Sequence, residues 1–323
     1  MEISETMKKI AILLAACVAA LCVSCKKAED PERIQFRIDG DGSFARIELA
    51  ESVNARLVAE APRKISDLYL SMGLGEYNSI ANQYIGIESN KGTAKKNSVF
   101  DLIRDPKAIA FVKALGVEAG ADLAGQTSVT LDVKKVIMAL LEGQPIQNDQ
   151  TFAAIVGVQD QTGAVDNANL TFHFTSAPEI SWPKNPNFET VNLDRMKREP
   201  EGSDLFRIAV RAPGKIASLV ISLDEKTADP GLKKWVVNRV SGTRPIISLH
   251  DDLYASENFK NWFPTKAQLL GAEVAALNFI FVSENVPDYS ADETTNVFTI
   301  TVTDSFGKKA EAQAKFHVPA EEW

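Results

Sequence analysis

The chain repeats itself, and the repeat constrains its architecture before any single element is assigned. Ala61 to Met72 reads APRKISDLYLSM and Ala212 to Leu223 reads APGKIASLVISL, with six identities over twelve positions at an offset of 151. Val158 to Gly163 matches Val302 to Gly307 at an offset of 144, and Phe172-His173 matches Phe316-His317 at the same offset. Between them, Leu123-Ala124-Gly125 matches Leu269-Leu270-Gly271. An offset that drifts so little means two copies with the same elements in the same order. We place the modules at 33–175 and 178–319, and a chain of 323 residues is long enough for two ordinary domains. Ser176-Ala177-Pro178 and Trp182-Pro183 mark the joint, where proline fixes φ and cannot donate to a sheet.

Within each copy the periodicity is that of strands. Ile34 to Ile38 alternates apolar and polar residues, and Val297 to Val302 does the same with β-branched residues. Ile216 to Leu223 is more continuously apolar, as expected of a strand inside a sheet. Asp304-Ser305-Phe306-Gly307 lies between two strand patterns, with Asp to cap the turn and Gly to accept φ > 0, and Asp160 to Gly163 repeats it. Helices are few. Asp105-Pro106 opens one that runs to Leu115 and stops at Gly116; Asp132 caps Val133 to Glu142 ahead of Gly143; Asp229-Pro230 opens a third through Val240. The expected class is all-β, with short helical insertions between strands.

The N-terminus reads as an export signal. Lys8 and Lys9 precede an unbroken apolar run from Ile10 to Val23, then Ser24 and Cys25. That run is shorter than the roughly 20 residues a membrane-spanning helix needs. Cleavage before Cys25, with lipid on its sulfur, gives a signal peptide of 1–24 and a tether of 25–32. Cys22 stands where Leu is usual three residues before the modified cysteine. Leu14-Ala15-Ala16-Cys17 fits that pattern better but leaves an apolar run of only Ile10 to Leu13, below the roughly 7 residues such regions need. Glu2 and Glu5 ahead of the lysines point to Met7 as an alternative start. A single acyl chain holds a protein only marginally, so stable anchoring implies multiple acylation.

Lys26-Lys27-Ala28-Glu29-Asp30, directly after the cysteine, resembles the charged export tether of Bacteroidetes surface lipoproteins. The paired hairpins of form V-x-D-x-x-G, each before a closing strand, resemble the last hairpin of immunoglobulin-like and PKD-like modules. Together these features resemble a Bacteroidetes-type surface lipoprotein with tandem immunoglobulin-like domains. The resemblance implies two β-sandwiches in series, an outer-membrane location and exposure at the cell surface. It implies no catalytic residue and no cofactor, only the lipidated Cys25.

Composition narrows the remaining possibilities. A formal charge of −8 works against nucleic acid as a partner, because its phosphates attract Lys and Arg. All three cysteines, Cys17, Cys22 and Cys25, lie in the leader region, so the modules contain no disulfide and no thiolate chemistry. His173 and His317 each follow a Phe and so point to the opposite strand face. His250 precedes Asp251-Asp252 in an expected turn. Asp39-Gly40-Asp41-Gly42-Ser43 has the start of a calcium loop but lacks its Gly at position six and Glu at position twelve, leaving a tight glycine turn. No G-x-S-x-G elbow, P-loop or H-E-x-x-H occurs. A pair of hydrolytic carboxylates stays open on sequence alone.

The long connections Gly73 to Ser98 and Asp224 to Pro245 carry Tyr77, Tyr84 and Trp235, and Trp262 lies further on. Aromatics on sandwich loops either cap the core or meet a ligand, by stacking on a sugar or anchoring a protein. These four are the candidate ligand-binding residues. The expected partners are the membrane, through the lipid, and either a glycan or an envelope or host protein. No metal and no cofactor is expected. A glycan-binding accessory lipoprotein of a polysaccharide-uptake system is the second reading, and a hydrolase the third.

Overall fold

A computed structural model of the chain describes residues 32–86, 98–194, 204–285, 289–290 and 292–320. Cys25, the leader and most of the tether lie outside the described residues. Two compact units divide the chain. One takes residues up to 45 with 55–140 and 152–171; the other takes 46–54 and 141–151 with those from 172 on.

Among the described residues the strands fall into two matched sets of eight. In the first, β1 (Gln35–Gly40), β3 (Ala55–Glu60) and β6 (Ser128–Leu131) form a three-stranded sheet in the order β1-β3-β6. Five more make the second sheet: β2 (Ile47–Glu48), β8 (Val165–Phe174), β7 (Gln150–Asp160), β4 (Ile65–Gly73) and β5 (Ser98–Asp101), in the order β2-β8-β7-β4-β5. The second set repeats this strand for strand. Its small sheet is β14-β11-β9, from Val274–Asn278, Arg207–Arg211 and Glu179–Ser181. Its large sheet is β10-β16-β15-β12-β13, from Val191–Asn192, Lys309–Val318, Thr294–Asp304, Ile216–Leu223 and Ile246–Ser248. Pairing is antiparallel except for one short parallel pair in each copy. Ile47 lies opposite Phe172, and Val191 opposite Phe316. The fold is two tandem immunoglobulin-like β-sandwiches with few helices.

Alternation buries one face of each strand. Along β15, Asn296, Phe298, Ile300 and Val302 are buried while the residues between them are not. In the second unit, Ile208 and Val210 of the small sheet share one core with Ile221, Phe298 and Phe316 of the large sheet. Trp182 belongs to this core at 1 % exposure, with its indole N–H donating to Leu205 O at 2.6 Å. β9 pairs with β11 at Ser181↔Ala209, which draws the next residue inside. In the first unit Tyr69 faces Gly157 across β4 and β7. A Cβ on Gly157 would fall 1.9 Å from the Tyr69 ring, so only glycine fits beneath it.

The helices begin where their caps predict. Asp105 accepts from the N–H groups of Lys107 and Ala108 at the start of Pro106–Ala114, and Asp229 accepts from Gly231 and Leu232 at the start of Pro230–Val237. Asp132 accepts from Lys135 N at 3.0 Å and opens Val133–Leu141. The third expected helix is shorter than its pattern, ending at Val237 rather than Val240.

Candidate functional site

The most strongly repeated residues build a corner of backbone hydrogen bonds. Lys64 N donates to Ala61 O at 2.8 Å, and Lys215 N donates to Ala212 O at 2.8 Å. Ile65 exchanges bonds with Gln126 O and Gly125 N; Ile216 does the same with Ala272 O and Gly271 N. Gln161 N closes onto Lys64 O, and Ser305 N onto Lys215 O, each at 2.9 Å. Both copies break register just after the isoleucine, between Ile65 and Asp67 and between Ile216 and Ser218. Lys64 and Lys215 have φ of 68° and 64°, so the shared segment is a left-handed turn locked to the hairpin beside it. Ala61/Ala212, Lys64/Lys215, Ile65/Ile216 and Gly125/Gly271 are identities that serve this corner, while Phe172/Phe316 lie opposite the short parallel strands.

The two hairpin aspartates diverge. Asp160 accepts from the Thr162 hydroxyl at 2.6 Å and from the N–H groups of Thr162 and Ala164. The Thr162 hydroxyl, chiefly, holds the Asp160 carboxyl below the ordinary range, against the effect of burial. Asp304 accepts from Phe306 N and Lys308 N, and its Oδ2 is buried with no hydrogen-bond partner. Gly214 leaves space for that oxygen, because a Cβ there would lie 2.3 Å from it.

Lys308 forms a half-buried polar cluster within the second compact unit. Its Nζ donates to Thr175 O, lies 3.8 Å from Glu48 Oε1 and sits 4.7 Å from the Phe174 ring centre. Glu48 Oε1 accepts from Thr175 N at 2.8 Å, and Glu48 Oε2 is buried without a hydrogen-bond partner. Burial draws the Lys308 ammonium down, against Glu48 and Asp304. The cluster already contains its own cation, and among the described residues no group of His, Cys, Asp and Glu is arranged to hold a metal.

His250 has a serine and a carboxylate close by. Its Nδ1 is 3.3 Å from both Ser248 Oγ and Leu219 O. Leu219 O, which only accepts, shares that nitrogen with Ser248. Its Nε2 is 2.9 Å from Asp251, whose side chain is 78 % exposed. His317 meets Thr295 and Glu293 beside the buried Phe316, while His173 is half-buried next to the buried Phe172.

The four candidate aromatics do not form one surface. Tyr77 is buried and packs near Phe152, because the connection after β4 folds back as short helical turns over the core. Its reading as a ligand-facing ring is corrected accordingly. Tyr84 stacks on Phe111 at 4.1 Å and remains 37 % exposed, so of the four it keeps the most open ring. Trp235 and Trp262 meet edge-to-face at 5.5 Å. Both are half-buried against a cluster that includes Phe259 and Phe281.

Trp235 has two further neighbours. Phe281 lies parallel to it at 5.1 Å, and the Arg239 guanidinium sits 3.8 Å over the ring. Both groups take up part of the ring that a sugar would need for stacking. Arg239 also donates through Nη1 to Trp235 O at 3.2 Å. Burial draws its guanidinium below the usual arginine range. Tyr254, 54 % exposed, reaches Asn238 O at 3.4 Å from Leu253–Asn258. The sequence reading passed over Arg239 and Tyr254. The usable signal was the i, i+4 spacing of Trp235 and Arg239 near the end of an expected helix, which places a cation over an aromatic.

No protein-family model matches the chain, and no curated protein matches it. Solved structures are similar to it only loosely. The chain is 14 % identical to a bacterial ice-binding adhesin, with 90 % of this chain and 66 % of that one covered and a TM-score of 0.27. The fibronectin(III)-like modules of Clostridium thermocellum CbhA give 9 % identity, 89 % and 94 % coverage and a TM-score of 0.25. The C-terminal domain of the Streptococcus pyogenes antigen I/II-family protein AspA gives 8 % identity, 88 % and 99 % coverage and a TM-score of 0.27. Membership of the fold rests on the strand pairing above.

Proposed function

We propose that the chain is a lipid-anchored protein of the bacterial cell envelope whose two sandwiches act as a non-catalytic binding or structural platform. One observation carries the reading. Four of the pairs shared by the two copies, Ala61/Ala212, Lys64/Lys215, Gly125/Gly271 and Asp160/Asp304, hold a backbone corner rather than a constellation of reactive side chains. A repeat that spends its identities on scaffold suits a chain whose task is to present surfaces. The basic n-region, apolar run and Ser24-Cys25 support the anchor, and the charged tether supports an outer-membrane, surface-exposed location.

Metabolic labelling with a palmitate analogue tests the anchor. Label should enter the wild type and vanish in Cys25→Ala. Label retained in that variant and lost in Cys17→Ala would move the anchor to the earlier cysteine. Protease treatment of intact cells tests exposure: degradation before lysis supports the surface, and protection until lysis places the chain on the inner face.

A further inference from the structure

The small sheet of the second unit has an edge whose open backbone groups can be named one by one. In an antiparallel pair, residues alternate between those bonded to the neighbouring strand and those whose N–H and C=O point away from it. The phase along β14 is fixed at both ends of its pairing with β11. Ala212 N donates to Glu273 O at 2.7 Å, and Phe279 N donates to Phe206 O at 2.9 Å. With Arg211 opposite Val274 and Arg207 opposite Asn278, it is Ala275 and Leu277 that bond to β11. Val274, Ala276 and Asn278 therefore direct their backbone groups outward. The Asn278 N–H is already used, donating to Trp262 O at 2.9 Å. The outward N–H and C=O of Val274 and of Ala276 have no partner among the described residues.

This edge also lacks the usual guards. Edge strands are ordinarily protected by proline, charge or a bulge. At the opposite edge, β9 begins with Glu179 and lies between Pro178 and Pro183. Over Val274–Asn278, β14 carries neither proline nor charge, and its ladder to β11 has no bulge. Val274 is 68 % exposed and Ala276 is exposed beside it. In the first copy, Ala61 N donates to Thr127 O just as Ala212 N donates to Glu273 O, which aligns Ser128 with Val274 and Thr130 with Ala276. The apolar edge is thus a property of the second copy.

The pattern of open groups indicates what covers them. Alternating outward N–H and C=O groups are matched by another strand. The open stretch is short. Trp262 occupies one end, and at the other the chain turns into the corner, where Gly271 N bonds Ile216 O and Ala272 O accepts from Ile216 N. A second β14, run antiparallel about a two-fold axis at Ala275, fits that stretch group for group. Val274 of each copy exchanges two bonds with Ala276 of the other, which uses every open group of both residues. Valine then lies across from alanine, and no charged side chain of Val274–Asn278 faces another. The net charge of −8 makes two copies repel, and salt screens that repulsion.

We propose that β14 pairs antiparallel with β14 of a second copy, joining two small sheets edge to edge through Val274 and Ala276. This rests on the binding-platform reading and names one partner for it.

Sedimentation equilibrium of the full chain, in density-matched detergent at about 0.15 M salt and up to about 1 mM protein, should show monomer and dimer in exchange. Val274→Lys puts a charge on each side of the seam and should weaken dimerisation by about tenfold or more. Ala276→Pro removes only an outward N–H, leaves the ladder to β11 intact and should weaken it comparably. Amide exchange locates the contact. In dilute wild type, Val274 and Ala276 should exchange fast and Ala275 and Leu277 slowly; raising the protein concentration should slow Val274 and Ala276. Should Ala276→Pro fail to fold, Val274→Lys and the exchange data carry the test. A monomer at every concentration, a dimer unchanged by Val274→Lys, or exchange at Ala276 that does not depend on concentration overturns the pairing. Protection of Ala276 by an added extended peptide, with none from more of the chain itself, overturns the choice of partner. Palmitate labelling and protease access do not depend on this pairing, so its failure is distinguishable from failure of the envelope-platform reading.

Discussion

Lys64 and Lys215, 151 residues apart, occupy the same left-handed backbone position and make the same two backbone hydrogen bonds, one from the amide and one to the carbonyl. A non-glycine residue there costs on the order of 1–2 kcal/mol. The fold accepts that cost twice because the turn pairs with backbone groups of the hairpin beside it.

Replacing either lysine with glycine should therefore stabilise its module. The relief exceeds the added entropy of the unfolded chain by about 0.5–1 kcal/mol. Lys215→Val should destabilise by more than that, since a β-branched residue resists φ > 0. Urea midpoints of the single variants check this. A glycine variant less stable than wild type would show that the lysine side chains hold contacts worth more than the strain.

Asp229 ties a helix start to a distant loop. It is fully buried and accepts from Gly231 N, Leu232 N, Ser290 N and Ser290 Oγ, at 2.7, 3.3, 2.8 and 2.6 Å. Asp229→Ala leaves those donors without their acceptor and should cost about 2–4 kcal/mol. Asp229→Asn keeps a capping oxygen and should lose less. Amide exchange at Leu232 and Ser290 should rise in Asp229→Ala well before exchange along β15; uniform protection across all three sites would count against the tie.

Asp160 makes the first unit acid-sensitive. The Thr162 hydroxyl, and then the backbone N–H groups, favour its ionised form, so its folded pKa lies below the unfolded value of about 4. The stability this contributes is present above the unfolded pKa and is lost as pH falls through the folded value. Asp160→Asn should lower stability at pH 7 and flatten its decline below about pH 4. Thr162→Val should act in the same direction with a smaller effect. Denaturation midpoints at pH 7, 4 and 3 measure it, and an unchanged slope in Asp160→Asn would rule Asp160 out as the source.

Legibility followed the physics of each element. Ile216–Leu223 was readable to the residue because its apolar run reflects burial within a sheet. The three helices were readable at their starts, where Asp105, Asp132 and Asp229 cap. The short strands Ile47–Glu48 and Val191–Asn192 were not: two residues carry no periodicity, and their parallel partners Phe172 and Phe316 are far away in sequence. Tyr77 and Trp235 looked like loop aromatics because the sequence does not say which way a connection folds.

By itself, then, the sequence determined that the chain carries two copies of one β-module, because repeats, periodicity and caps are local or self-referential properties. The tertiary structure alone decided what the shared residues are for. It turned the Ala61 and Ala212 segments into corners, because their hydrogen-bond partners lie tens of residues away. It also set the Arg239 guanidinium over the Trp235 ring, since side-chain contacts depend on distances that chain order does not encode.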